Sequence, residues 1–271
     1  MQNHTENRGE ASVSLRLRGL PEGLRMLVYL LMALLAGLLI SGAQALLPGR
    51  SWVTPAIKLL IAFGALALAG GAARIPLRRK KSLPWIVLLG LVPALLMTAF
   101  FIGPVSRTPQ AGAVALVIIS MFATALWEEA VFRLWGRLLF EEEGSYKAWL
   151  FLAMALIFGG LHLLDFSHRA SGLGTFQAVF AALAGLFLHT FYTWSGSFSL
   201  AVLIHWLIDL GGSLAVQWMD PADAFLSGKM GLGLILLSLH MALSAAILAR
   251  KGEIIRRGTP FLKLGRKNKM L

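Results

Sequence analysis

The chain has 271 residues, 57% of them hydrophobic and only 14% charged, where a soluble globular domain carries roughly a quarter. The deficit points to lipid as the solvent and leaves little sequence for a soluble domain. The net charge of +12 invites a nucleic-acid reading that its distribution argues against, and the absence of cysteine excludes disulfides, thiolate metal sites and a cysteine nucleophile.

Residues 1–24 hold Glu6, Arg8, Glu10, Arg16, Arg18 and Glu22 and read as a polar tail. The apolar run that follows is too long for a signal-peptide core, so it reads as a first span kept in the mature protein. A bilayer core about 30 Å thick needs about 20 mostly apolar residues per spanning helix. Eight such stretches follow, near 26–47, 54–73, 84–104, 111–139, 146–165, 173–194, 198–218 and 231–249. The expected fold is therefore all-α, a polytopic membrane helix bundle of about eight transmembrane helices over residues 25–250, with a basic tail over 251–271. Spans one to three are almost purely apolar. Pro93 is expected to kink the third, and the small residues of Ala65–Ala73 suit close helix packing. The fourth stretch is too long for one span, so its end is expected to project into water or lie along the interface. No internal repeat stands out.

Charge sets the orientation. Arg8, Arg16, Arg18 and Arg25 precede or open the first span, and five basic residues crowd Arg74–Lys81. Arg133, Arg137 and Lys147 flank the hairpin between spans four and five, and eight more lie in Arg250–Lys269. Only Arg50, Arg107, Arg169 and Lys229 fall on the other side, while Lys58 sits within a span. This is what the positive-inside rule produces. Both termini are expected in the cytoplasm of a multi-pass protein of the cell membrane, with no nucleic-acid partner. The basic tail suits either anionic headgroups or simple solvation.

Ionisable groups inside a membrane are costly and functional by default. They gather in spans four to seven as Glu128, Glu129, Arg133, His162, Asp165, His189, His205 and Asp209. Glu128 and Glu129 are adjacent on one helix, about 100° apart, so they cannot share one role or one face. Glu129 and Arg133, four apart, can pair. Glu128 is left with no partner on its own helix, which in an apolar setting suits a general base. His205 and Asp209 are four apart and share a face. Spans four and five form a hairpin turning near Gly144. Glu128 lies 16 residues before that glycine and His162 18 after it, which puts both roughly 25 Å from the turn. His205 is nine residues past Gly196, only about 14 Å from its own turn. It reaches the same level if the first hairpin projects further.

The order Glu128-Glu129-x-x-x-Arg133, Phe158-x-x-x-His162 and His205-x-x-x-Asp209, with Tyr192-x-x-Ser195-Gly196-Ser197 before the last motif, resembles the CPBP family. This group comprises type II CAAX prenyl endopeptidases and bacteriocin-processing membrane proteases. The resemblance covers about residues 111–212 as a protease core. It implies an intramembrane endopeptidase of the glutamic type. In that reading Glu128 and His162 activate water, His205 and residue 209 stabilise the oxyanion, and Glu129 and Arg133 support the site. It also implies a membrane-associated or lipidated protein or peptide substrate. The family commonly has Asn where this chain has Asp209, and an ionised Asp cannot donate to an oxyanion. Asp209 must be protonated, orient His205 or bind a metal.

Two histidines and a carboxylate are also an acceptable zinc set. No His-Glu-x-x-His motif is present, so no cofactor is the preferred expectation, with zinc as the alternative. A proton-coupled transporter would call for inverted repeats, and a non-catalytic scaffold or immunity protein would not need the Glu128–His162 pair. His168, His189, His240 and Asp165 read as structural or interfacial, with His189 the nearest of them to the bundle interior.

Overall fold

A chain in lipid must satisfy its backbone internally, which favours helices. The computed structural model is accordingly all-helical apart from one two-residue bridge. It describes residues 17, 19–47, 49–72, 84–102, 110–141, 146–164, 171–218, 228–251 and 255–256. Among these, eight helical rods follow one another. They are α1 (Glu22–Leu46), α2 (Val53–Ala72), α3 (Pro84–Ile102), a composite fourth rod, α6 (Ala148–Leu164), α7 (Ser171–Ser195), α8 (Phe198–Trp218) and α9 (Gly228–Lys251). The fourth rod joins α4 (Ala111–Glu128), a π-helical turn (Glu129–Leu134) and α5 (Trp135–Phe140).

Each rod coincides with one of the apolar stretches. Glu22–Leu46, Ala111–Phe140, Thr175–Ser195 and Gly233–Arg250 are long and apolar enough to cross a membrane, while Val53–Ala69, Ala148–Leu163 and Phe198–Leu214 are apolar but shorter. Large side chains also face outward: Leu38, Leu60, Leu96 and Leu243 are 63–70% exposed. In water such a surface would aggregate; against acyl chains it is solvated.

Among the described residues two large apolar clusters stand out, beside a small one of Val117, Leu210 and Leu214. One apolar cluster joins α1, α2, the fourth rod and α6 through Tyr29, Ala62, Phe132, Leu139 and Phe158. The other joins α3, α7, α8 and α9 through Ala94, Leu188, Ile204 and Met241. The small residues of α2 do what their size allows: Ala62, Ala65 and Ala69 are buried, and Trp135 donates its indole N–H to the Ala65 carbonyl at 3.1 Å. Pro93 lies inside α3.

At the end of the fourth rod, Trp135 and Leu138–Phe140 are buried by protein. Arg25 of α1 donates to the Leu139 carbonyl at 2.7 Å, and Tyr29 packs edge-on against Phe140 and Phe132. α1 thus covers the last turns of the fourth rod.

One end of the bundle is tied together by side chains and a strand. Glu22 at the start of α1 forms an ion pair with Lys147. Tyr146–Lys147 (β1) pairs in parallel with Ile255–Arg256 (β2). The start of α1, the connection between α5 and α6 and the chain after α9 therefore share one end. α1 begins at Glu22. The segment from 257 to 271 and most of 1–20 lie outside the described residues.

Candidate active site

The fourth rod changes its hydrogen-bonding period where its carboxylates stand. The amide of Trp135 donates to the carbonyl of Ala130, five residues back. Such wide turns insert one extra residue into a helix and re-aim the side chains around it. Glu128 closes α4 and Glu129 opens the π turn. Both are buried, as is Arg133. Arg133 Nη2 lies 3.2 Å from Glu129 Oε1, the four-residue pair expected from spacing.

His205, from α8, stands between the two carboxylates. Its Nδ1 donates to Glu129 Oε1 at 2.7 Å. Its Nε2 faces Glu128 Oε2 at 3.5 Å and Asp209 Oδ2 at 3.4 Å, without completing a hydrogen bond to either. One imidazole thus lies between Glu128 and Glu129, each near a different ring nitrogen. The bond to Glu129 fixes the ring, which is how buried carboxylates commonly orient histidines. Spacing alone had paired His205 with Asp209 and gave no sign that Glu129 is its closer partner.

His162 comes from the last turn of α6. Its Nδ1 donates to the Phe158 carbonyl one turn back at 2.9 Å, which leaves Nε2 to act. Phe158 is the hub of the site. Its ring meets His162 at 5.0 Å, His205 at 6.1 Å and Phe132 at 4.9 Å between centroids, and the Arg133 guanidinium lies 4.2 Å over it. The sequence marked Phe158 only as a motif letter. Gly159 explains how α6 lies so close to α7: a Cβ there would come within 2.5 Å of the Ala178 carbonyl oxygen. Glu128 lies within electrostatic reach of His205, His162, Asp209 and Lys58.

The Tyr192-to-Ser197 motif is the turn that delivers α8. Gly196 takes a left-handed φ of 66°, which a residue with a Cβ adopts only under strain. Its amide caps α7 on the Tyr192 carbonyl at 2.8 Å. Ser197 Oγ accepts from the Leu200 amide at 3.3 Å, the N-cap that starts α8. Counting depth from Gly144 overstated the mismatch with His205. The fourth rod ends at Phe140, so Glu128 stands only about 18 Å from the helix end. His205 still lies only about 14 Å past Gly196, so its offset from Glu128 shrinks but does not vanish.

Of the remaining ionisable residues, His189 is buried in an aromatic contact with Tyr146 at 4.8 Å and Phe151 at 5.2 Å, apart from His205. His240 donates to the Leu89 carbonyl at 3.1 Å, a structural tie between α9 and α3. Asp165 and His168 lie outside the described residues. Lys58 of α2, passed over as a charge within a span, donates to Thr124 Oγ1 at 2.7 Å one turn before Glu128. Among the described residues no group of three His, Asp or Glu side chains is arranged to hold a metal ion.

The family model described as type II CAAX prenyl endopeptidase Rce1-like matches residues 110–211. The match runs from the start of α4 into α8, and so includes Glu128, Glu129, Arg133, His162, His205 and Asp209. It agrees with the resemblance read from the motifs. Together with four helices able to cross a membrane, it marks an integral membrane protein. No curated protein and no solved structure matches the chain.

Proposed function

Starting from a core similar to the type II CAAX prenyl endopeptidases, we propose that this chain is an intramembrane endopeptidase that cleaves a membrane-associated or lipidated protein. The carrying observation is the convergence of Glu128 and Asp209 on one face of His205, 3.5 and 3.4 Å from Nε2, with His162 anchored alongside through Phe158. Glu128, with His162, takes a proton from water as the water attacks the scissile carbonyl. His205 in its imidazolium form donates from Nδ1 to Glu129 and from Nε2 to the oxyanion that develops. Asp209, when protonated, adds a second donor. The leaving amine takes its proton back from Glu128. Arg133 holds Glu129, and Glu129 holds His205.

The test is cleavage of a membrane-anchored, lipidated peptide by the purified protein in liposomes. Asp209→Asn should retain activity, because it supplies a neutral donor. Asp209→Ala should lower the rate roughly 10²–10³-fold, the typical loss of one oxyanion-hole donor. A zinc-dependent version of the reaction, with two histidines and a carboxylate as the ligand set, predicts the reverse. The Asn variant would be inactive, and chelator would abolish activity that zinc then restores.

All eight rods are read as crossing the bilayer, with the end that carries Glu22, Lys147 and Ile255–Arg256 in the cytoplasm. The charge bias sets that side, and the shared end of α1 and the chain after α9 requires both to face it. Cysteines introduced at residues 20 and 255 should be shielded from an impermeant thiol reagent in sealed right-side-out vesicles and labelled after lysis. The chain has no other cysteine to confuse the result. Labelling of either before lysis overturns the topology.

A further inference from the structure

Below the site, toward the end of the bundle that carries Lys147, two helices face each other with polar side chains. Glu129, Arg133, Arg137 and Glu141 follow at four-residue intervals along the fourth rod. Opposite them α7 offers His189, Tyr192 and Thr193, the spacing of one helical face. The stripes interlock. Arg137 lies 5.3 Å over the Tyr192 ring and donates to Glu141 at 3.2 Å. His189 feels both Arg133 and Arg137. Gly136 stands beside them: a Cβ there would meet Met154 Sδ at 2.9 Å, with the Tyr29 and His189 rings at 3.5 and 3.6 Å.

This seam is buried yet poorly satisfied by protein. Glu129 Oε2, Arg133 Nε, Arg137 Nη1, His189 Nε2, Tyr192 Oη and Thr193 Oγ1 close no well-formed hydrogen bond. Tyr192 comes near Arg137, and Thr193 near Tyr146, without reaching that geometry. Buried polar atoms are otherwise almost always paired, by protein or by ordered water. So many unpaired in one contiguous strip, donors and acceptors mixed, is the surrounding that holds water, which needs two to four polar partners. Packing does not explain the strip, because apolar residues of similar size would fill the same volume without the desolvation penalty.

We propose that the seam between the fourth rod and α7 is a water-filled path that joins the buried Glu129–His205 pair to solvent at the Arg137–Glu141 end. Its upper end is Glu129, bonded to His205. Its lower end is Arg137 and Glu141, whose side chains are 19% and 11% exposed, with Tyr146 Oη 3.4 Å from Glu141. The purpose assigned to it, hydrating the site of an in-membrane hydrolase, rests on the function proposed above. The hydration itself does not.

The three tyrosines give an internal test. Tyr192 and Tyr146 lie on the seam. Tyr29 is equally buried and its ring reaches Gly136 beside the seam, but its hydroxyl is already used on the Phe132 carbonyl at 3.1 Å. X-ray hydroxyl-radical footprinting of the full chain in liposomes labels side chains that touch ordered water. Tyr192 and Tyr146 should be modified faster than Tyr29, since only they would touch ordered water. His189→Leu with Thr193→Val should bring Tyr192 down toward the Tyr29 rate, and should lower kcat for cleavage while leaving KM unchanged. Tyr192 labelled as slowly as Tyr29 in the unaltered protein overturns the proposal, whether or not the protein cleaves anything. Fast labelling with no cleavage of any lipidated peptide leaves the seam standing and overturns the protease reading instead. An unchanged kcat in the double variant, with labelling lost, removes the link between the seam and catalysis.

Discussion

Glu128→Ala is expected to lower turnover by about 10²–10⁴-fold or more, the usual worth of a positioned general base, while the protein stays folded. His162→Ala should behave alike. Neither side chain anchors the fold. Among the described residues Glu128 closes no hydrogen bond, only its approach to His205, and His162 bonds within its own helix. The measurement is the cleavage rate in liposomes, read beside thermal unfolding of each variant. Asp209 makes the test sharp. It stands on the same nitrogen of His205 at 3.4 Å, so proximity alone makes it a rival base. If Glu128 is the base, its loss is not rescued by Asp209, and Asp209→Asn keeps activity. If Glu128→Ala still turns over while Asp209→Asn does not, the roles are exchanged and the water is activated from α8 rather than from α4.

Much of this site is legible in the sequence because lipid makes polar residues conspicuous. Where 57% of the chain is hydrophobic, each carboxylate and histidine in a span stands out, and helical spacing places Glu129 by Arg133 and His205 by Asp209 without a structure. Helix positions are equally legible, since a 20-residue apolar run has few other fates. What spacing could not supply is anything between helices. The bond from His205 to Glu129 joins residues 76 apart, and periodicity within one helix is silent about it. The π turn is likewise invisible, because nothing in Glu129–Leu134 announces a change from four- to five-residue hydrogen bonding. The depth estimate erred through a hidden assumption, that the fourth rod stays helical to Gly144. The burial of Trp135–Phe140 by α1 was missed because an amphipathic reading assigns the excess length of a span to water. The pairing of Ile255–Arg256 with Tyr146–Lys147 involves segments too short to carry a strand pattern.

The second large effect is expected at Glu129, and it separates support from chemistry. Glu129 serves two partners at once, Arg133 at 3.2 Å and His205 at 2.7 Å, with its side chain fully buried. Glu129→Ala leaves a guanidinium that is 2% exposed without its counter-charge. Breaking a buried ion pair from one side typically costs about 3–5 kcal/mol. The Arg133 contact with the Phe158 ring at 4.2 Å offsets part of this, a cation over an aromatic face being worth about 2 kcal/mol when desolvated. The variant should therefore unfold at clearly lower temperature and lose most of its activity, since His205 is no longer held. Glu129→Gln keeps an acceptor for His205 Nδ1 and should fold better than the alanine variant while remaining slow. The informative variant is the double substitution Glu129→Gln with Arg133→Met. Replacing both charges with neutral groups of similar volume is often close to neutral for stability, so thermal stability should recover relative to Glu129→Ala. Activity should not recover, because the charge that holds His205 as an imidazolium has gone. Recovery of both would mean that the pair only shapes the helix, and that His205 needs no anionic partner on its Nδ1 side.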